Sequence, residues 1–412
     1  MNILFVHEVE WIKKVVFEMH NLAEGLSLLG HQVYAVDYGN RWSRTNPLDF
    51  GSFRTTEIKS LARAYVGASV CLRRPGFIKI PGLSRLSAAF THYLEIQKTI
   101  REKNIDTIVL FSAPTNGLQA IHLAKKFGIP VVFRSIDILN QLVPYPLLRL
   151  PTRIFERKVY SSVDMILTIT PKLSSYVIKM GANPDRVKLL PVLVDTALFH
   201  PSPDPIKLRR KWGYAERDKI IVFIGTLSEF SGLDALIGKF SEVIEQVPEA
   251  KLLIVGDGPQ RPKLEAIITE TGLRKQVTIT GLQSYSTMPQ YINLAAICIA
   301  PFRPTGATRD IFPSKIVQYL ACGKVVLATP LPGTLALISG EQQGVVYTDG
   351  ASEMVKEILS LLRSAERRRR LGSAGLNYAR KVHGHDVIIR QLEARLREAI
   401  KKKQNGKLSR RI

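Results

Sequence analysis

Three observations predict an α/β chain built as two domains with parallel sheets. A strand–helix–strand unit opens at once, because Asn2–His7 and Gln32–Asp37 are short apolar runs and the apolar residues between Val15 and Leu29 recur at helical spacing. A second series of the same kind begins after Pro201–Pro205, where closely spaced prolines and a polar run mark a linker. The chain has 412 residues, of which 45% are hydrophobic, enough to bury two cores.

In the first series Glu8–Lys14 reads as a loop and Gly30 closes the first helix. Strand-like runs follow at Thr107–Phe111, Pro130–Phe133, Met165–Ile169 and Lys188–Leu190, with helical stretches between them, so a domain is placed at residues 1–195. The loop after the first strand lacks GxGxxG, which argues against a dinucleotide-binding enzyme at this end. Leu61–Leu86 interrupts the rhythm with Arg63, Arg73, Arg74, Lys79 and Arg85 among apolar residues, glycines and prolines. Such a segment fits either an anionic lipid surface or a long solvated loop.

In the second series Lys219–Gly225 is a strand ending in a glycine loop, and Leu233–Val247 reads as a helix. Lys251–Val255 is a strand ending in Gly256-Asp257-Gly258-Pro259, and Val277–Thr280 ends at Gly281. Tyr285–Leu294 is a helix, and Ile297–Ala300 delivers the chain to Phe302–Pro330. In that stretch Pro313 suits the first position of a helix and Gly323 the position just past its end. The unpaired amides of such a helix start, with Lys315 and Arg309 beside them, suit a phosphate, although a capped surface helix has the same pattern. Open α/β sheets hold ligands outside the carboxyl ends of their strands, and here four such ends carry glycine-rich or polar loops.

The charge balance is 58 Lys+Arg against 35 Asp+Glu, a formal +23, which calls for an anionic partner. Cys71, Cys298 and Cys322 lie in apolar segments without CxxC spacing, which implies reduced thiols and a cytoplasmic protein, peripheral on the inner face of the membrane if it meets one. The start MNILFVHE has neither the basic flank nor the apolar length of a signal peptide, and no 18-residue apolar stretch occurs. No RNP, KH or zinc-finger pattern accompanies the charge, so no specific nucleic acid is expected.

The ordered series FIGTLSEFSGLDALI, KLLIVGDGP, VTITG, YINLAAICIAPF and DIFPSKIVQYLACGKVVLATP resembles the donor domain of retaining glycosyltransferases of family 4, the glycosyl transferases group 1. The likeness is clear over about 219–350; the first domain fits more loosely through NILFV, Gly30-His31-Gln32-Val33 and DTIVLFSAP. It implies the GT-B fold, two Rossmann-like domains with parallel sheets facing a central cleft. An acceptor-side domain would span 1–195 and a nucleotide-sugar domain 205–375. A C-terminal helix at 380–400 would pack back on the first, and 401–412 would form a disordered basic tail.

Carried over residue by residue, the family's two acidic residues fall on Asp310 and Gln318. The first would lie near the transferred sugar and the second would hold the ribose, where Gln318 brings no charge. Ser314 and Lys315 fall where the diphosphate is met. Two basic diphosphate contacts of the family fall on Thr226 and Ser231, and its usual histidine on Ile136, so three of these positions have lost their chemistry. Asp310 and Lys315 are therefore the expected catalytic residues. Gly225, Thr226, Gly256, Gly258, Gly281, Arg303, Arg309, Pro313, Ser314 and Gln318 are the expected donor-binding residues. His7, Glu8, Arg134 and Asp137 are expected on the acceptor side, although His7 and Glu8 fit core packing equally well. His383 and His385 flank Gly384 and read as a surface turn. No Asp-x-Asp pair occurs, so no metal and no cofactor is expected beyond the nucleotide-sugar co-substrate.

The expected activity is transfer of a hexosyl group, with retention and without a metal, to a glycan or lipid-linked acceptor of the cell envelope. The alternative is a donor-binding but inactive subunit that supports a partner transferase.

Overall fold

The computed structural model describes every residue except 14–15, 40–48, 81–82, 112–115, 144, 307 and 409–412. Val15 at the expected helix start, residues 112–114 of DTIVLFSAP and the last four residues of the expected tail therefore lie outside the described residues. The chain divides into two compact units, residues 1–191 with 388–412, and residues 192–387.

In the first unit the order is β1 (Asn2–Val6), α1 (Glu18–Leu28), β2 (Gln32–Val36), β3 (Thr56–Leu61), β4 (Val70–Arg74), α2 (Ser84–Glu102) and β5 (Thr107–Leu110). It continues with α3 (Asn116–Phe127), β6 (Val131–Ser135), α4 (Leu139–Leu142), α5 (Pro146–Ser162), β7 (Met165–Thr168), α6 (Pro171–Lys179) and β8 (Val187–Leu189). The sheet runs β3-β4-β2-β1-β5-β6-β7-β8, parallel throughout except that β3 lies antiparallel to β4 at the edge. Strands such as Ile3–Val6 are wholly buried because helices cover both faces, which is why they read as continuous apolar runs rather than alternating ones. Leu4, Val6, Ile108, Leu110, Phe133 and Ile166 form the heart of this core.

In the second unit the order is α7 (Ile206–Lys211), β9 (Lys219–Ile224), α8 (Leu233–Ile237), α9 (Ser241–Gln246), β10 (Ala250–Val255), α10 (Arg261–Glu270), β11 (Val277–Ile279), α11 (Met288–Leu294) and β12 (Ile297–Ala300). Then come α12 (Ser314–Ala321), β13 (Val326–Ala328), α13 (Pro332–Leu335), β14 (Val345–Tyr347), α14 (Gly350–Arg363), α15 (Ala365–Tyr378) and the long α16 (His385–Leu408). The sheet runs β11-β10-β9-β12-β13-β14 and is wholly parallel. Two parallel-sheet, Rossmann-like domains are thus present.

Several expectations need correction. The helix expected over Leu233–Val247 is two short ones, with Gly238 capping the first. Leu61–Leu86 is not one long solvated loop: it contains β4, which lies between the edge strand β3 and β2, and it turns most of its cations inward. The Arg73 guanidinium, 5% exposed, meets Glu57 at 3.3 Å, Glu95 at 3.0 Å and Glu102 at 2.8 Å. Arg74 pairs with Asp37 and with Glu10 at 2.7 Å, Arg63 donates to the Trp11 carbonyl, and Lys79 pairs with Asp49. The basic tail is not unstructured either, because α16 continues to Leu408 and Lys403 pairs with Asp164 at 2.7 Å. From Ile388 onward α16 belongs to the first unit, where Glu393 meets His31 at 3.0 Å. His383 is fully buried in a π-helical turn, Ala379–His383, not on a surface turn.

Candidate functional site

The second unit gathers most of the expected donor residues at the carboxyl ends of β9, β10, β11 and β12. β9 ends at Gly225, whose amide donates to the Val255 carbonyl at 2.9 Å, and Gly256 bridges to Gly281 in an isolated antiparallel pair. Gly225 and Gly256 both have φ of +147°, which L side chains rarely adopt. A Cβ on Gly256 would stand 2.0 Å from the Gly225 carbonyl oxygen, and one on Gly225 would stand 2.3 Å from Lys315 Nζ. These glycines make a thin floor with a lysine over it. Gly258 follows, its amide bonded at 2.8 Å to the Asp257 carboxylate, which Arg261 also holds at 2.9 Å.

α12 supplies that lysine. Pro313, with ψ of 109°, is the cap just outside the helix and not its first residue; Ser314 is. Among the described residues no side chain caps this helix, so the Ser314 and Lys315 amides carry its unneutralised positive end. The Lys315 ammonium lies 4.2 Å from the Phe223 ring centroid and 4.7 Å from that of Phe302. No carboxylate among the described residues pairs with it. Burial lowers its pKa from 10.5 to about 7. Two ring faces stabilise the cation only in part. The arrangement is a half-buried cation, beside a helix start, without a counter-anion.

Around it the other expected residues divide. Asp310, in the loop before α12, faces Arg309 at 3.8 Å, and Arg309 is mostly exposed. Arg303 is committed to Asp234 at 2.7 Å, a carboxylate that Lys263 shares at 2.8 Å. Gln318 hydrogen-bonds the Tyr285 hydroxyl, whose pKa burial raises, with the charge of Asp195 adding to the rise. Thr226 is exposed and Ser231 is buried, so neither presents a charge here.

Sequence reasoning missed two supports and one buried hydroxyl. The Tyr319 hydroxyl, fully buried one turn after Lys315, accepts the Ile224 amide at 2.8 Å and pins α12 to the end of β9. His383 stacks on Phe312 of the same loop at 5.8 Å and 12°, and its Nδ1 meets the Val192 carbonyl at 2.8 Å. The Ser228 hydroxyl is buried without a partner in the β9 loop. Only the run of apolar and polar spacing in α12 hinted at Tyr319; His383 carries no local signal, because Val192 and Phe312 lie far along the chain, and nothing in the β9 loop sequence marks Ser228 as buried.

In the first unit His7 follows β1. Its Nδ1 accepts the Val9 amide at 2.8 Å, and burial, with nearby His20, lowers its pKa to about 3, so it is neutral with its proton on Nε2. Glu8 accepts the Asn116 amide at 2.9 Å at the start of α3. Arg134, 1% exposed, places its donors on Glu18 at 3.0 Å and on the carbonyls of Leu190 and Pro191 at 2.6 and 3.2 Å. It braces the sheet end and has no donor to spare for an acceptor. Burial raises the Asp137 carboxyl above the usual carboxylate range, with the Glu18 charge adding to it.

Comparison with known proteins finds glycosyltransferase families along both units. The family described as "Glycosyl transferases group 1" matches residues 204–378, and the "Glycosyl transferase 4-like domain" matches residues 16–192. D-inositol 3-phosphate glycosyltransferase of Segniliparus rotundus is 24% identical over 271 residues, 62% of this chain and 58% of that protein. The chain thus spans little more than half of that relative. GDP-mannose-dependent alpha-(1-6)-phosphatidylinositol monomannoside mannosyltransferase of Mycobacterium tuberculosis is 24% identical over 330 residues, covering 79% of this chain and 83% of that one. Among solved structures, Anabaena HepE in complex with UDP-glucose superposes with a TM-score of 0.71 at 18% identity, over 97% of this chain and all of that one.

Proposed function

Because this chain belongs to the group 1 glycosyltransferases of GT-B fold, we propose that it transfers a sugar from a nucleoside-diphosphate sugar, with retention at the anomeric carbon, to a cell-envelope acceptor that is lipid-linked. One observation carries the donor half: Lys315, half-buried and without a counter-anion, stands beside the uncapped start of α12 over a glycine floor. A diphosphate supplies the missing charge. Its oxygens take the Ser314 and Lys315 amides and the Lys315 ammonium, and the same donors stabilise the charge that builds on the departing diphosphate. Asp310 orients the sugar, and Gln318, held by Tyr285, meets the ribose. Arg309 is the less committed of the two loop arginines and assists Lys315. The acceptor for which the mycobacterial relative is named, a phosphatidylinositol monomannoside, is itself a lipid and supports the acceptor class.

The test offers UDP-, GDP- and ADP-sugars with lipid-linked acceptors and follows release of nucleoside diphosphate together with the anomeric configuration of the product. One donor should give acceptor-dependent release with its configuration retained. Thr226, Ser231 and Gln318 favour a second reading, an inactive donor-binding subunit, because each stands where the resemblance calls for charge. Selective nucleotide binding with no release under any acceptor would decide for that reading.

A further inference from the structure

The apolar stripe of α5 faces away from the core. The inward side of this helix is largely polar, with Thr152 and Glu156 beside Val159 and Tyr160. Glu156 is satisfied there by the Leu139 amide at 3.0 Å and the Tyr160 hydroxyl at 3.0 Å. The outward side carries Leu147, Leu150 and Ile154 at the spacing of one helix face, and they are 90%, 66% and 61% exposed. A helix that only covered a sheet would show the opposite arrangement. Its four cations, Arg149, Arg153, Arg157 and Lys158, are all exposed, and its one acid is the buried Glu156.

α2 repeats the pattern. Leu86, Phe90 and Leu94 form its outward stripe, 70%, 61% and 46% exposed, and Lys98 and Arg101 follow on the next turns. α3 packs against both α2 and α5, so the three helices cover one face of the sheet. Each connects parallel strands and so runs antiparallel to them, which puts the apolar N-terminal halves of α2 and α5 at the carboxyl end of the sheet. The cations Lys125, Lys126, Arg157 and Lys158 lie toward the other end. Among the described residues no helix is long and apolar enough to cross a membrane.

We propose that the α2–α5 face of the first unit docks on an anionic lipid surface. Leu147, Leu150, Ile154, Leu86 and Phe90 enter the boundary between headgroups and acyl chains, while the three arginines and Lys158 of α5 meet lipid phosphates. Charge selects this occupant. A second copy of a +23 chain would set like charge against like, and a nucleic acid would leave the apolar stripes in water. The docking does not depend on the donor chemistry. Its use does rest on the proposed lipid-linked acceptor, which would then arrive at the carboxyl end of the sheet from the surface on which the enzyme sits.

Co-sedimentation with phosphatidylcholine vesicles, with and without phosphatidylglycerol, tests this in the full chain, and calorimetric UDP and GDP binding serves as the control. The wild type should pellet only with the anionic vesicles and be released by salt. Leu150→Glu with Ile154→Glu should weaken vesicle binding roughly tenfold or more, and Arg153→Gln with Arg157→Gln and Lys158→Gln about a hundredfold. Both variants should keep the wild-type melting temperature and nucleotide binding, so loss of docking is distinguishable from loss of the donor site. Three results would overturn the proposal: no binding by the wild type, undiminished binding by both variants, or a wild-type dimer that Leu150→Glu with Ile154→Glu dissociates.

Discussion

Lys315 owes its role to what it lacks. A lysine with a carboxylate beside it would be an ordinary ion pair, but this one has two ring faces and a pKa near 7. An arriving diphosphate restores the proton, so binding above pH 7 takes up a proton and weakens as pH rises further. Gly225 is the complementary requirement. Gly225→Ala would set a methyl group where Lys315 Nζ stands and impose a side chain at φ of +147°. It should abolish nucleotide binding and cost about 1–3 kcal/mol of stability, read by calorimetry and by urea denaturation; binding at wild-type affinity would contradict the floor described here. Both residues were legible in the sequence, since a glycine ending a strand and a lysine opening a helix are local signals. The commitments of Arg303 to Asp234 and of Arg134 to Glu18 were not, because their partners stand 69 and 116 positions away.

At the scale of elements, α12 is placed by one buried hydrogen bond as well as by its apolar face. Tyr319→Phe keeps the ring and leaves the Ile224 amide unpaired, which should cost about 1–3 kcal/mol in urea denaturation and loosen nucleotide binding in parallel. A variant with unchanged stability would show that the bond is replaceable. The sequence located α12 to within one residue, missing only that Pro313 caps the helix from outside. It failed at Leu233–Val247, where helical spacing persists through Gly238 although the helix does not, and at Leu61–Leu86. There the composition suggested a solvated loop or a lipid-facing segment, and the strand β4 within it was missed. Glu57, Glu95 and Glu102 instead draw Arg73 inward, and nothing in the local pattern announces partners on other elements. The outward stripes of α2 and α5 escaped for a related reason: helical periodicity reveals an apolar face but not which way it points.

For the molecule as a whole, three buried histidines set a limit on the acid side. Burial lowers the pKa of His7 to about 3 and those of His20 and His383 to about 4, whereas in the unfolded chain each protonates near 6.5. As pH falls from 6.5 toward 4 the unfolded state therefore binds more protons than the folded state, and stability declines. Each histidine contributes about 1.4 kcal/mol per pH unit once its unfolded form is protonated. Urea midpoints for both units should drop steeply over that window, and a flat profile would mean that these rings charge within the fold. The +23 balance read from composition calls for an anionic partner, and the two proposals divide that role between a diphosphate at Lys315 in the second unit and anionic lipid at the α2–α5 face of the first.

The most direct test of the donor site is isothermal titration of UDP, GDP and ADP onto the wild type and Lys315→Met at pH 8, in buffers of different ionisation enthalpy. One nucleotide should bind the wild type selectively with uptake of a proton. Lys315→Met should lose that uptake and about 10–100-fold in affinity, as for a lost hydrogen bond to a charged group. Equal affinity and equal proton uptake in the two proteins would contradict a diphosphate seat built on Lys315.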